Sequence, residues 1–215
     1  NTSTNTTNST PIVIPLVPIL VPVNDRFAVY IIDNEQKGSY ILTLNKKSML
    51  INAAGGADGL RLLKTVKNIG VAKLDRFIIT NNLDDNIAGA PQIILRTSPI
   101  DLIHSGIPST SSYYKQYTSL YPNSTILPSD KVISFDDSIV DLIVPYDDGN
   151  ALTSDNSIVV KVTYGGNKLL FTSDCAIDCE SRISNVEADV LISNGGCDSL
   201  NLAFLQDVSP ELVIF

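Results

Sequence analysis

A single histidine, His104, stands in 215 residues, beside three cysteines, one methionine and no tryptophan. One imidazole leaves no triad a spare base beyond it, and it is read as a surface or loop side chain. The cysteines, Cys175, Cys179 and Cys197, fall in the last fifth of the chain; a C-x3-C pair with one distant thiolate and no neighbouring histidine is poor for zinc. Charge is also sparse, at 18% of residues, with a formal net charge of −8. An acidic chain without Lys/Arg clusters repels phosphate backbones, which excludes nucleic acid as a partner. No apolar run reaches the roughly 18–20 residues that a membrane-crossing helix needs. The best candidate, residues 11–23, is 13 residues long and holds four prolines.

What is present begins with a polar tract. Residues 1–10, Asn-Thr-Ser-Thr-Asn-Thr-Thr-Asn-Ser-Thr, carry three N-x-S/T sequons, at Asn1, Asn5 and Asn8, and a fourth lies at Asn123. Without a leading Met, this reads as the mature end of a secreted, N-glycosylated protein whose signal peptide has been removed. An extracellular location favours one disulfide among Cys175, Cys179 and Cys197.

Residues 11–23 read Pro-Ile-Val-Ile-Pro-Leu-Val-Pro-Ile-Leu-Val-Pro-Val. Proline every three or four residues excludes a helix, so extended geometry remains. Ile12, Val13, Ile14, Leu16, Val17, Ile19, Leu20, Val21 and Val23 place apolar groups on both alternating faces, and such a segment wants burial on both sides. The prolines at 11 and 15 differ in parity from those at 18 and 22. One regular strand cannot turn all four away from a single neighbour, which predicts two short extended pieces with a kink between.

The rest, residues 24–215, reads as one domain. Strands are predicted at 27–32, 39–44, 48–51, 76–80, 102–103, 131–135, 139–144, 157–163, 168–172, 189–193 and 211–215. Apolar residues at helical spacing predict a helix over 60–69, closed by Gly70, and shorter helical pieces over 87–95, 109–120, 178–186 and 200–208. Strands joined by tight turns, then strands alternating with helices, give a mixed α/β pattern with two sheets. Tyr113, Tyr114, Tyr117 and Tyr121 offer either a sugar-stacking face or packing against a neighbouring element, the latter being favoured. The adjacent pairs Asp84-Asp85, Asp136-Asp137 and Asp147-Asp148 point apart or line turns and imply no facing acid–base pair.

Six segments carry a family resemblance by their order and spacing, the first being Tyr30-Ile31-Ile32-Asp33-Asn34-Glu35-Gln36, which resembles a strand and its "LDVGQGD" turn. Leu74-Asp75-Arg76-Phe77-Ile78-Ile79-Thr80-Asn81-Asn82-Leu83-Asp84-Asp85-Asn86-Ile87-Ala88-Gly89 resembles "LDALVLTHPHADHIGG". Met49-Leu50-Ile51-Asn52-Ala53-Ala54-Gly55 is similar to "LIDGG", and the stretch 104–113 to "SGxPxTTxxY". The stretch 155–174, ending Leu170-Phe171-Thr172-Ser173-Asp174, resembles a hairpin ending in "LLTGD", and 188–196 resembles "ADVLKVGHHG". Together they resemble the metallo-β-lactamase fold, a four-layer αββα sandwich, most of all the ComEC-type competence hydrolase domain. In that family the histidines and aspartates hold two metals that activate a bridging water. Here the ligand positions read Asn81, Leu83, Asp85, Asn86, Asp174 and Asn194. Amides are poor zinc ligands and leucine is none. The resemblance therefore implies a fold without catalytic residues and without a cofactor, Ca²⁺ on Asp85, Asp174 and the amides being the one hard-ion alternative. It also implies that Cys197 lies close enough to Cys175 or Cys179 for a disulfide clipping the former metal site.

The resemblance runs to Pro210-Glu211-Leu212-Val213-Ile214-Phe215, similar to a strand after which relatives continue. An uncovered sheet edge is then expected at this end, and an orphan apolar segment at the other. Their complementarity predicts a non-catalytic extracellular subunit whose residues 11–23 dock on the next copy by strand addition, giving a homopolymer. The alternatives are a monomeric binding module for carbohydrate or a cell surface, reusing the old pocket, and a hydrolase with an atypical metal.

Overall fold

The structure, a computed structural model, describes residues 27–32, 38–54, 58–145, 156–194 and 201–215. The segment 11–23 and the sequons at Asn1, Asn5 and Asn8 lie outside these residues, as does Cys197.

Two six-stranded sheets face each other. The first is built in spatial order from β1 (Ala28–Ile32), β2 (Ser39–Leu44), β3 (Lys47–Ile51), β4 (Arg76–Ile79), β5 (Asp101–His104) and β6 (Thr125–Ile126). The second holds β7 (Lys131–Phe135), β8 (Ser138–Ile143), β9 (Val159–Tyr164), β10 (Asn167–Ser173), β11 (Val190–Ser193) and β12 (Leu212–Ile214), in reverse spatial order. In each sheet the early strands pair antiparallel and the later ones parallel. The parallel steps are made where a helix or a long connection intervenes, because a tight turn cannot return a chain in the same direction.

The helices α1 (Asp58–Asn68), α2 (Asp84–Ile87), α3 (Ala90–Thr97) and α4 (Ser112–Leu120) lie on the first sheet; α5 (Ile177–Glu180) and α6 (Leu202–Val208) lie on the second. Three apolar layers result. Leu62, Val66, Ile93 and Tyr117 pack on Ile41, Leu50 and Phe77. Leu42, Ile51, Val160, Val162 and Phe171 fill the space between the sheets. Cys179, Phe204 and Val208 cover Leu170 and Leu191. This four-layer order explains why β2 is buried along its whole length, on both faces. Each buried Leu or Ile in these layers contributes about 1.5–3 kcal/mol of transfer free energy.

The predicted helix over 87–95 is two helices, α2 and α3, parted at Gly89. Gly89 donates to the carbonyls of Ala53 and Ala54 at 3.1 and 3.2 Å, and a Cβ there would lie 2.1 Å from the Ala53 oxygen. That contact stops a continuous helix. Strand β6 has no counterpart in the sequence reading; two residues are too short for a periodic signal.

Candidate functional site

The parallel strands β3, β4, β10 and β11 end at one rim, where an α/β sheet customarily exposes its ligand-binding groups. Asn52 follows β3, Asn81 to Asn86 follow β4, Asp174 follows β10 and Asn194 follows β11. Ser173 closes β10 with φ of 53°, and Asn52 and Ala54 have φ of 58° and 53°. All three are non-glycine residues in the left-handed region, a conformation that costs roughly 1–2 kcal/mol per residue and persists only where surroundings impose it.

The surroundings here are two hydrogen-bond clusters. In the first, Asn52 Nδ2 donates to Ser173 Oγ at 2.9 Å, and Thr80 Oγ1 donates to Asn52 Oδ1 at 2.9 Å. Ser173 Oγ lies 2.7 Å from Thr80 Oγ1. The Thr80 proton is already committed to Asn52, so the Ser173 hydroxyl donates and the three side chains close a ring. Thr80 N also donates to Asn52 Oδ1, at 3.0 Å. All of these residues are buried, and the ring ties the two sheets together.

The second cluster surrounds Asp174. Asn81 Nδ2 and Asn86 Nδ2 donate to the same carboxylate oxygen, Oδ2, at 3.0 and 2.6 Å. Asn81 Nδ2 also reaches Ser157 Oγ at 2.8 Å, while Asn81 Oδ1 accepts from Leu83 N at 3.0 Å and from Asn86 Nδ2 at 2.7 Å. The backbone N–H of Leu83 only donates, which fixes the Asn81 oxygen toward it. Asn86 must then present its NH₂ to both Asn81 and Asp174. Asn86 is fully buried, and its Oδ1 has no hydrogen-bond partner. Hydrogen bonds to an ionised acceptor are roughly twice as strong as neutral ones, so the two amides stabilise the Asp174 carboxylate.

The six former ligand positions thus do not gather as one pocket. Asn81, Asn86 and Asp174 meet. Leu83 joins only through its backbone. Asp85 is half-buried on α2 and makes no side-chain hydrogen bond to the cluster. Asn194 turns away: its Oδ1 accepts from the Tyr40 hydroxyl and, at 3.2 Å, from Gly38 N. A divalent cation needs convergent anionic or carbonyl oxygens. This cluster aims two amide N–H groups at Asp174 Oδ2 and brings no imidazole or thiolate, a donor set that does not fit zinc. Among the described residues no three His, Cys, Asp or Glu side chains converge.

The loop is braced from behind. Tyr117 is buried on α4 and donates to Asn82 Oδ1 at 2.7 Å, and Asn82 Nδ2 donates to Ile107 O at 2.6 Å. The Tyr117 ring meets Tyr114 and His104 edge-on, at 5.4 and 5.8 Å. Tyr121 donates to Ile100 O at 2.8 Å. The tyrosines therefore pack inward, and burial pushes the Tyr117 hydroxyl pKa up. His104 is not a surface residue. It ends β5, is 3% exposed, and accepts from Gly106 N at Nδ1 (3.1 Å). Its Nε2 faces Ser124 Oγ at 3.0 Å. A ring nitrogen that accepts from an amide carries no proton, which leaves the neutral tautomer protonated at Nε2. Burial lowers its pKa accordingly.

The disulfide also differs from expectation. Cys175 pairs with Cys179, their Cα atoms 5.1 Å apart, in place of a link from either to Cys197. The start of α5 curls back over one turn and brings residues four apart within bonding range. The bond flanks Asp174 without bridging to β11. Asn123 is exposed in the turn between α4 and β6.

Sequence reading missed Asn52, Thr80, Ser157 and Ser173. The signal for Asn52 and Ser173 was available: they stand at the aspartate of "LIDGG" and the glycine of "LLTGD".

No family model matches the chain, and no curated protein matches its sequence. Solved structures do. A Cronobacter sakazakii metallo-β-lactamase with a HARLDQ motif superposes with a TM-score of 0.59 at 14% identity, covering 78% of this chain and 75% of that one. BJP-1, a subclass B3 metallo-β-lactamase of Bradyrhizobium japonicum, gives 0.55 at 12% identity, with 80% and 76% covered. The Rm3 metallo-β-lactamase gives 0.57 at 11%, with 84% and 82% covered. The αββα layering, the sheet order and these superpositions together place the chain in the metallo-β-lactamase fold.

Proposed function

We propose that this domain performs no hydrolysis and serves as a building block of an extracellular assembly, with copies joined head-to-tail through residues 11–23. It is a former hydrolase fold of the ComEC-type competence lineage, turned to structural use. The observation that carries the reading is the pair of amide groups on Asp174. A hydrolase of this fold needs a carboxylate free to hold an ion; here Asn81 and Asn86 both aim their own protons at Asp174 Oδ2. Buried polar groups bonded to one another across the two sheets stiffen that rim.

The extracellular setting is supported by the Cys175–Cys179 bond, since disulfides persist in oxidising compartments, and by the exposed sequon at Asn123. Among the described residues no helix is long and apolar enough to cross a membrane.

The test compares the full chain with residues 24–215 by negative-stain microscopy and sedimentation, alongside elemental analysis. Polymers from the full chain, monomers from the shortened one and no stoichiometric metal are expected. Tightly bound metal with chelator-sensitive hydrolysis overturns the reading. So does a full chain that stays monomeric, the behaviour of a binding module.

A further inference from the structure

The two flanks of the sandwich differ in how they end. On one flank lie the edge strands β6 and β7, consecutive in the chain. Leu127, 2% exposed, plugs the space between the sheets there. The exposed apolar side chains on that flank, Ile126 and Val132, point outward. Ile126 pairs with His104 and Val132 with Asp141, whereas the core-facing positions are held by Ile103, Ile133 and Phe135.

On the other flank lie β1 and β12. They belong to the same side, because Tyr40 on β2, next to β1, is hydrogen-bonded to Asn194 at the end of β11, next to β12. Here the exposed apolar groups point inward. Ile31 pairs with Tyr40, a core residue between the sheets, yet is 38% exposed. Leu212 pairs with Val190, which faces the same core, yet is 52% exposed. Inward-facing side chains open to water mark thin cover on this flank, and among the described residues β12 pairs with β11 alone.

The chain carries a segment of matching form. Residues 1–26 precede Phe27 and include the apolar stretch 11–23. Its prolines leave two uninterrupted tripeptides, Ile12-Val13-Ile14 and Ile19-Leu20-Val21. Strand β12, Leu212–Ile214, has three residues. A three-residue edge pairs with three consecutive residues, and a proline on either side of them removes N–H groups only where β12 offers nothing to bond.

We infer that Ile19-Leu20-Val21 adds as a strand to the free edge of β12 and covers Leu212. This rests on the assembly reading above for the copy that supplies the segment, a neighbouring one. An apolar segment with alternate side chains facing each way suits the place: one set faces inward beside Leu212, and the other covers the outer side of β12 beside Val213.

The test places a photo-cross-linking benzoylphenylalanine at position 212 of the full chain, in a mixture of isotopically light and heavy copies, with the same probe at position 126 as control. Cross-links from 212, but not from 126, to residues 11–23 are expected, as mixed light–heavy peptides. Cross-links within single copies uphold the docking site and overturn the assembly reading. Polymers that form with no cross-link from 212 to residues 11–23 overturn the docking site and leave the assembly reading standing. Independently, Leu212→Asp should raise the concentration needed for assembly by about tenfold or more, the effect of losing one buried leucine contact, whereas Ile126→Asp should not. Equal effects of the two, with circular dichroism unchanged, also overturn the docking site.

Discussion

Asn86 Nδ2 lies 2.6 Å from Asp174 Oδ2, an amide proton aimed at a carboxylate. Asn86→Asp reverses this. It sets two carboxylates against each other in a fully buried place, leaving an uncompensated charge. A loss of about 3–5 kcal/mol at neutral pH is expected, shrinking in acid as the pair shares a proton. Urea melts at pH 7 and pH 4.5 measure it; a loss that does not depend on pH contradicts the account.

The ring of Asn52, Thr80 and Ser173 makes a second prediction. Asn52→Ala removes the acceptor of both the Thr80 amide and its hydroxyl, and it leaves buried donors unpaired. The cost is about 1–3 kcal/mol for each unsatisfied group. Thr80→Val in the same chain removes one of those donors, so the double variant should lose less than the sum of the singles. A double-mutant cycle by chemical denaturation reads the coupling, and additive losses would show that the ring does not exist.

His104 predicts a pH dependence. Its folded pKa is lowered by burial, below the usual value of 6.5. As pH falls below that value the unfolded chain takes up a proton that the folded chain refuses. Stability is therefore complete above about pH 6.5 and declines in more acid solution. His104→Asn should flatten the melting temperature between pH 6.5 and 5 relative to the parent. Parallel profiles for the two proteins would rule out a neutral buried imidazole.

Two backbone positions should respond in opposite directions. At Gly89 a Cβ would sit 2.1 Å from the Ala53 oxygen, against backbone that cannot yield, so Gly89→Ala should cost at least about 2 kcal/mol. Ser98, exposed at the end of α3, has φ of 42° and caps the helix only through its backbone N–H. Ser98→Gly should raise stability by about 0.5–1 kcal/mol by relieving the left-handed strain. Thermal melts of the two variants check both signs.

Much of this was determined along the chain itself. Alternating and continuous apolar runs located every strand longer than two residues, because such residues must face one core or two. The six motif segments carried the fold, and the amide and leucine replacements at 81, 83 and 86 already argued against zinc. Three-dimensional packing decided which of these residues meet. Asn81 and Asn86 converge on Asp174, whereas Asp85 and Asn194 do not. His104 is buried rather than exposed, since β6 and α4 close over the end of β5. Cys179 comes within range of Cys175 because α5 turns back at once. Ile31 and Leu212, inward-facing yet exposed, share a flank only because edge strands from opposite ends of the chain fall on one side. Periodicity reports which face a side chain takes, but nothing in a linear pattern fixes what lies across from it; that follows from how the sheets are stacked.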